Sequence, residues 1–370
     1  MENKVIAKFM VMLALALPQG AMAQQEFKIG VVASLSGGFA AAANDSIDGF
    51  RAWEKMRGLP GRKIVLETLD DETNPVNASN AFRRVASDPK VQLIYLIVPS
   101  NSVLAVKSLA SEFKVPIIAA GAADSIGIPA DPWLFKVAPA VRDFMTVLAQ
   151  YAQTKGHRRI ASINATDAFG QAEITSLRAL APKYGVQIVA AESFGVEDTN
   201  FNAQLTRIRA AKPDLIYNGG TGRSAILTFR ALKQMGISQP LVVTQAAISK
   251  AFFDAIGSVD QADGLITPMQ RGSFGPAAGV DAKLYGELEK GLGRTPIYFN
   301  TFGYDVGVIT EAAVKNSDGS RQGLRDALEK LKDLPGVNGP VTYSPEDHTG
   351  QNYRSIAMGK LLKGKPVPAD

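Results

Sequence analysis

The chain of 370 residues contains no cysteine and only two histidines. The missing cysteines exclude a disulfide framework, a thiolate nucleophile and cysteine-ligated zinc or iron–sulfur sites. His157 directly precedes a predicted strand, and His348 falls in a predicted exposed turn, EDHTGQ. Neither histidine belongs to a metal-binding motif such as HExxH. We therefore expect no histidine-based catalytic triad and no two-histidine metal site.

Nucleotide and hydrolase signatures are also missing. The sequence has neither a G-x-S-x-G elbow nor a GxxxxGK[ST] loop, and its first glycine-containing loop, SLSGGF (34–39), lacks the G-x-G-x-x-G spacing. Asp70 and Asp71 end a predicted strand just before Asn74-Pro75, where a turn is the simpler interpretation. We expect no enzymatic activity, no cofactor and no metal.

The charged residues give no indication of a nucleic-acid partner. Lys and Arg number 40 against 35 acidic residues, and the basic residues are scattered singly or in pairs. Nucleic-acid footprints usually cluster their charge, so an interleaved solvated surface explains this pattern better.

The N-terminus has the pattern of a secretory signal. Residues 1–23 read MENKVIAKFMVMLALALPQGAMA, with two lysines, a short apolar core and small residues up to Ala23. This order predicts cleavage after Ala23. The apolar run is shorter than the roughly 20 residues that span a bilayer. We expect an exported periplasmic protein that is not inserted in the membrane.

Strand-like and helix-like segments alternate through most of the remaining chain. Predicted strands, in order, are KIGVVAS (28–34), KIVLETL (63–69), VQLIYLIV (91–98), VPIIAAG (115–121), 159–163, 186–193, LIYNGG (215–220) and LVVTQ (241–245). Predicted helices, in order, are 46–56, 77–86, 101–113, 142–154, 170–183, 202–211 and 223–235. Such alternation predicts an α/β fold of right-handed βαβ units around mostly parallel sheets.

Two runs of this alternation predict two doubly wound, Rossmann-like lobes. The run changes near KVAPAVRD (136–143), and GLITPMQRGSFGP (264–276) resembles an extended crossing. Helices near 281–292, 300–316 and 321–332 follow, then strands around a turn in 336–361. We assign residues 24–140 and 272–336 to lobe 1, and 141–271 and 337–370 to lobe 2, with three crossings forming a hinge.

In open α/β sheets, ligands bind beyond the carboxyl ends of the strands, near helix N-termini. Three loops of lobe 1 and three of lobe 2 lie at such ends, although ordinary turns and helix caps explain any single loop equally well. Candidate donors in lobe 1 are Ser36, Ser100, Asn101, Ser102, Gly121, Ala122 and Ala123. In lobe 2 we expect Phe169 to form an apolar wall, and Thr221 and Gln245 to make polar contacts.

The ordered set of segments resembles the periplasmic leucine/isoleucine/valine-binding protein family. The segments are KIGVVASLSGGFA, LDDETNP, LIYLIVPSNS, VPIIAAGA, NATDAFGQ, FNAQLTRIRAAKPDLIYNGG and ALKQMGI. The resemblance covers nearly the whole chain after residue 23. It implies a type I periplasmic-binding fold that closes on a solute, and delivery of that solute to the permease and ATPase subunits of an ABC importer. It also implies a monomer.

The resemblance carries over only partly to the carboxylate site. The family uses a serine after the third strand, where this chain has Pro99 or Ser100. Its glycine-alanine-threonine loop corresponds here to Gly121-Ala122-Ala123, so that the threonine is lost while backbone donors remain.

The amine site departs further from the family pattern. Amino-acid binders place an acid where this chain has Val141-Arg142 and another where it has Gln245-Ala246-Ala247. The expected tyrosines align with Phe169 and Thr221, and the aromatic of the first loop aligns with Ala42. A buried ammonium group without a carboxylate is costly. Asp167 and Asp143 remain within one or two positions of the aligned sites.

The missing acids favour a hydrophobic and, we expect, aromatic carboxylate without an α-amino group. Phe39, Phe169 and Tyr298 or Phe299 are the candidate walls of its site. One alternative is a branched-chain or other aliphatic amino acid. Another is an amide- or small-molecule-sensing regulator on the same fold, which the export signal disfavours.

Expression of the full chain in a Gram-negative host should yield a periplasmic protein whose first residue is Gln24, because the small residues before it fit the signal peptidase pocket. Intact-mass spectrometry of the periplasmic fraction measures this directly. The variant Ala23→Phe should accumulate as the unprocessed precursor. A mature protein that still carries residues 1–23 would contradict the prediction.

Overall fold

The computed structural model describes residues 25–220, 222–248 and 250–369. The signal peptide predicted over residues 1–23 and the candidate contact Thr221 lie outside these ranges. No helix within the described ranges is long and apolar enough to cross a membrane.

The first sheet contains five parallel strands in the spatial order β2-β1-β3-β4-β5. The strands are β1 (Gln25–Ala33), β2 (Arg62–Asp70), β3 (Val91–Ile97), β4 (Ile117–Ala119) and β5 (Leu134–Lys136), and their connections hold α1 (Ala40–Met56), α2 (Pro75–Ala86), α3 (Ser100–Phe113) and α4 (Asp124–Gly127). Inner strands such as β3 are almost completely buried because helices cover both faces, which explains their unbroken apolar runs.

The second sheet contains seven strands in the order β14-β13-β10-β9-β8-β6-β7. Its first elements are α5 (Val141–Thr154), β6 (Arg159–Ala165), α6 (Ala168–Leu180), β7 (Gln187–Phe194), α7 (Asn202–Ala210), β8 (Leu215–Gly219), α8 (Gly222–Gln234), β9 (Leu241–Val243), α9 (Lys250–Ala255) and β10 (Ile266–Gln270). The chain ends with α10 (Ala282–Leu292), α11 (Tyr298–Lys315), α12 (Arg321–Glu329), β11 (Thr342–Ser344), β12 (Asp347–Gly350), β13 (Ile356–Leu362) and β14 (Lys365–Pro368). Strands β13 and β14 are antiparallel to their neighbours, so the sheet is mixed.

The chain crosses between the two sheets three times. It leaves β5 of the first sheet for α5, which packs on α6, and it returns after β10 when α10 and α11 pack against α1. The last crossing follows β12, which contacts β5 of the first sheet, whereas β13 pairs with β10 of the second. We therefore define lobe 1 as the first sheet with α1–α4, α10–α12 and β11–β12, and lobe 2 as the second sheet with α5–α9. The last crossing comes after Gly350, later than the residue 337 expected from the sequence.

A buried carboxylate connects α11 of lobe 1 to the last crossing. The Asp305 carboxylate on α11 accepts hydrogen bonds from the amides of Val337 (2.6 Å) and Asn338 (3.2 Å), and from the Nδ2 of Asn338 (2.9 Å) and the Nε2 of Gln351 (3.3 Å). Burial raises the pKa of Asp305 to about 6, despite these donors. This carboxylate thereby attaches the last crossing to lobe 1.

Three local expectations from the sequence are wrong. The alanines before Asn44 are not a loop, since α1 already starts at Ala40, in keeping with the high helix propensity of alanine. His348 is fully buried rather than exposed, and its ring stacks on Phe135 at 4.1 Å. The crossing expected to be extended over 264–276 is not extended beyond β10, because Arg271–Ala278 forms 3₁₀ turns interrupted by a kink at Gly275 (φ +69°).

Helices α1 and α11 pack unusually closely in lobe 1. A Cβ atom added at Gly303 of α11 would lie 1.8 Å from the Ser46 carbonyl oxygen and 2.8 Å from the Phe50 amide nitrogen of α1. These neighbours are backbone atoms, which cannot rotate away as a side chain does. The absence of a side chain at Gly303 is therefore a condition for this helix contact.

The substitution Gly303→Ala should lower the free energy of unfolding by about 2 kcal/mol or more, because the two helices have to separate. Gly286 of α10 provides a matched control, since it is exposed and a Cβ there meets no atom within 4 Å. Gly286→Ala should raise stability by about 0.5–1 kcal/mol, because alanine favours the helix. Urea denaturation of both variants measures the difference; equal effects would contradict this account.

Candidate functional site

The carboxyl ends of the parallel strands in both lobes face a common cleft, and two connected spaces lie within it. The inner cavity has an empty volume of about 410 Å³, including its open side, and the outer vestibule has about 1570 Å³. The inner cavity is lined by Phe39, 98–100, 120–122, Asp167, Phe169, Gln245, Ala246, Tyr298, Phe299 and Phe302. The vestibule is lined by 37–42, Glu72, Thr73, Pro99, Asn101, Asp167, Val196, Glu197, 222–224, Ile226 and Ala246.

Aromatic rings dominate the inner cavity. Phe39 meets Phe299 edge to face at 5.6 Å, and Tyr298 meets both Phe299 and Phe302 at 4.8 Å. Phe169 of α6 adds a ring from lobe 2. Four of these rings were candidates from the sequence, and Phe302 was missed, although its spacing of four from Tyr298 places both on one face of α11. The cavity therefore suits a planar apolar group.

The first turn of α3 supplies donors on the lobe 1 side. Helix α3 begins after Pro99, which has no side-chain hydrogen bond to cap the helix. The amides of the first turn have no intrahelical acceptor in any α-helix, and here they lie where Ser100 lines the inner cavity and Asn101 the vestibule. The Ser100 hydroxyl accepts a hydrogen bond from the Ala123 amide at 3.2 Å. This arrangement suits a carboxylate at the junction of the two spaces.

A buried lysine holds the neighbouring loop from behind. Gly121 and Ala122 line the inner cavity, and the Lys136 ammonium donates to the carbonyls of Ala122 (3.1 Å) and Ala123 (3.5 Å). Burial lowers the pKa of Lys136 to about 8, against the opposing effect of nearby aspartates. The supporting role of Lys136 was not predicted from the sequence. Its one sequence signal is that a single lysine ends an apolar strand, which does not indicate what the side chain contacts.

Several candidate residues from the sequence lie away from the inner cavity. Ala42 and Asn101 line the vestibule instead, while Ser102 is completely buried and lines neither space. Ser36 is exposed, and its hydroxyl donates to Asp70 at 2.7 Å, which keeps it in the strand-end turn. Arg142 is exposed on α5 and lines neither space. Ala123 lines neither space and contributes through its amide, which donates to Ser100, and its carbonyl, which accepts from Lys136.

Asp167 is the single charged residue among the described residues that line the inner cavity. One carboxylate oxygen caps α6 by accepting from the Gly170 amide at 2.8 Å, and burial raises the pKa of Asp167. The aligned acid positions add no carboxylate, since Val141 is buried outside both spaces and position 245 is a glutamine. The Gln245 Oε1 accepts from the Thr244 hydroxyl at 3.2 Å.

A buried glutamate lies behind the lobe 2 wall. Glu173 of α6 accepts hydrogen bonds from the Tyr217 hydroxyl (2.5 Å) and the Asn164 Nδ2 (3.0 Å). Burial raises the pKa of Glu173 to about 8, although both donors favour the charged form. The cluster joins the ends of β6 and β8 to α6, which carries Phe169.

Comparison with known proteins identifies the family. Residues 26–365 match the family model described as periplasmic binding protein, so the chain belongs to that family. The Leu/Ile/Val-binding protein BraC3 of Rhizobium johnstonii is 24% identical over 359 residues, covering 94% of this chain and 95% of the relative. The chain is thus a periplasmic binding protein.

Solved structures show the same fold. An extracellular ligand-binding receptor from Rhodopseudomonas palustris HaA2 is 26% identical, with a TM-score of 0.83 over 94% of this chain and all of that one. A solute-binding protein of an R. palustris ABC transporter, solved with benzoate, is 20% identical, with a TM-score of 0.80 over 93% and 95%. The expected type I periplasmic-binding fold is thereby confirmed.

Glu173 should make stability depend on pH. Its folded pKa lies above the ordinary value of 4.5, so the folded protein keeps a proton that the unfolded chain releases between pH 4.5 and 8. The free energy of unfolding then falls as pH rises through this window. Glu173→Gln removes the ionisation and should gain roughly 2 kcal/mol or more relative to the native chain between pH 5 and 8.

Urea denaturation at pH 5, 6, 7 and 8 measures this gain. Exposed Glu346 provides the control, and Glu346→Gln should follow the native chain across the range. If the free energies of unfolding of Glu173→Gln and the native chain differed by the same amount at every pH, Glu173 would ionise alike in the folded and unfolded states. That result would contradict the prediction.

Proposed function

We propose that this protein captures a hydrophobic, aromatic carboxylate in the inner cavity and delivers it to the permease and ATPase subunits of an ABC importer. The observation that carries the proposal is the pairing of an aromatic cavity with an uncapped helix N-terminus at its mouth. The aryl group occupies the space between Phe39, Phe169 and Phe299, and the carboxylate meets the first turn of α3. The protein itself catalyses no reaction.

The absence of acids from two positions supports a ligand without an ammonium group. Among the described cavity residues, position 245 contributes a neutral amide, and 141 and 142 do not reach either space. An ammonium group buried in this cavity would have Asp167 alone as a counter-charge, and one oxygen of that residue already caps α6. Burying an ammonium group with incomplete pairing costs several kcal/mol.

Asp167 also supports a second candidate, an aliphatic amino acid. This carboxylate lies on both spaces, close to the α3 N-terminus that would hold an α-carboxylate. An amino acid bound there would place its ammonium group at Asp167 and its side chain among the rings. The name of the R. johnstonii relative, a Leu/Ile/Val-binding protein, is consistent with this alternative.

Isothermal titration of the purified protein against benzoate, phenylpropanoid acids and leucine distinguishes the two candidates. We expect the aryl acids to bind and leucine to give no heat. Asp167→Asn keeps the helix cap, because asparagine caps as well as aspartate. The variant should bind aryl acids as tightly as the native protein or more tightly, since a negative charge near the carboxylate is removed.

Tight leucine binding without any response to aryl acids would overturn the proposal in favour of the amino acid. In that case Asp167→Asn should weaken leucine binding by about tenfold or more, because the ammonium group loses its counter-charge.

A further inference from the structure

The two lobes touch through their backbones at one point of the vestibule rim. Gly38, just before α1 in lobe 1, meets Gly222, the first residue of α8 in lobe 2. A Cβ added at Gly222 would lie 2.0 Å from the Gly38 carbonyl oxygen and 3.1 Å from its carbonyl carbon. Both residues line the vestibule, so the contact closes part of the cleft mouth.

The contact requires glycine on one side only. Gly222 has φ +51°, in the left-handed region that favours glycine, and the obstructing atoms belong to a backbone that cannot rotate away. A Cβ at Gly38, by contrast, would meet no atom within 4 Å, and its φ lies outside that region. The geometry therefore depends on the missing side chain of Gly222, and not on that of Gly38.

The contact also adjoins the ligand cavity. Phe39 follows Gly38 and lines both spaces, together with Asp167 and Ala246 of lobe 2. If lobe 2 lay further from Gly38, it would also lie further from Phe39. The inner cavity would then be wider and more open to water, which weakens every contact that spans the two lobes.

We propose that Gly222 is a positioning residue for ligand capture, whose missing Cβ lets lobe 2 seat against the Gly38 carbonyl and complete the closed cleft. The inference rests on the proposed function, since it concerns closure around a bound solute. It predicts that a single added methyl group at this position prevents closure without disturbing either lobe.

The chain provides a matched control just beyond the other end of α8. Gly236 follows the C-terminal end of α8 with φ +63°, and a Cβ there meets no atom within 4 Å. Gly222→Ala and Gly236→Ala impose similar backbone strain, but only the first adds an atom between the lobes.

Distance measurement between two spin labels tests the proposal directly. The sequence contains no cysteine, so Asn44→Cys and Arg230→Cys create the only labelling sites, both exposed, on helices α1 and α8 that contact each other. Double electron–electron resonance then gives the population of the closed form, without ligand and with saturating benzoate, phenylpropanoid acids or leucine. Titration calorimetry of unlabelled variants gives affinities, and thermal unfolding gives stability.

We expect Gly222→Ala to lose the closed form, which is seen as a short distance between the two spin labels. The variant should bind its ligand at least about tenfold more weakly, mainly through faster dissociation. Gly236→Ala should keep the native distances and affinity, and it should lose about as much thermal stability as Gly222→Ala. A closed population that persists in Gly222→Ala would overturn the proposal. The proposal would also be overturned if the native protein never showed the short distance between the two spin labels, with or without any of the ligands. The native protein could instead close with leucine and not with the aryl acids, while Gly222→Ala fails to close with leucine. This result would refute the aryl-acid assignment but support the role of Gly222 in closure.

Discussion

The site depends on one constraint: in both sheets, the parallel strands present their carboxyl ends to the same cleft. Right-handed crossovers place the N-termini of the following helices at those ends. Helix α3 therefore brings its uncapped first turn to the cleft from lobe 1, and α6 brings Asp167 and Phe169 from lobe 2. Because both lobes obey the same rule, a ligand between them is met by helix N-termini from two sides.

Buried ionisable groups hold these walls in place. Lys136 supports the loop at Gly121, Glu173 ties α6 to two strand ends, and Asp305 attaches the last crossing to lobe 1. Each is completely buried, and each is held by hydrogen bonds that offset part of its desolvation. None of the three lines the inner cavity. They shape the site without contacting its ligand.

The inner cavity and the vestibule are lined by side chains of different size. Five aromatic residues line the inner cavity, whereas small residues such as Ala42 line the larger vestibule. Ala42 corresponds to the position where the sequence resemblance leads us to expect an aromatic side chain. Ala42 lines the vestibule and not the inner cavity, whose aromatic walls come from Phe39, α6 and α11. The backbones of Gly38 and Gly222 meet at the same cleft mouth.

Sequence alone determined the fold class, the βαβ alternation and most strand-end loops, because apolar periodicity and turn residues are local properties of the chain. It also indicated Phe39, Phe169, Ser100 and Gln245, which follow strands or begin helices. Only the tertiary structure decided that Phe302 completes the aromatic wall, that His348 is buried, and that Ser36 and Arg142 stay outside the cavity. These outcomes depend on contacts between segments more than one hundred residues apart, or on side chains being taken by closer partners, as Ser36 is by Asp70. Local pattern carries no record of such contacts, since they arise only when the lobes and crossings pack together.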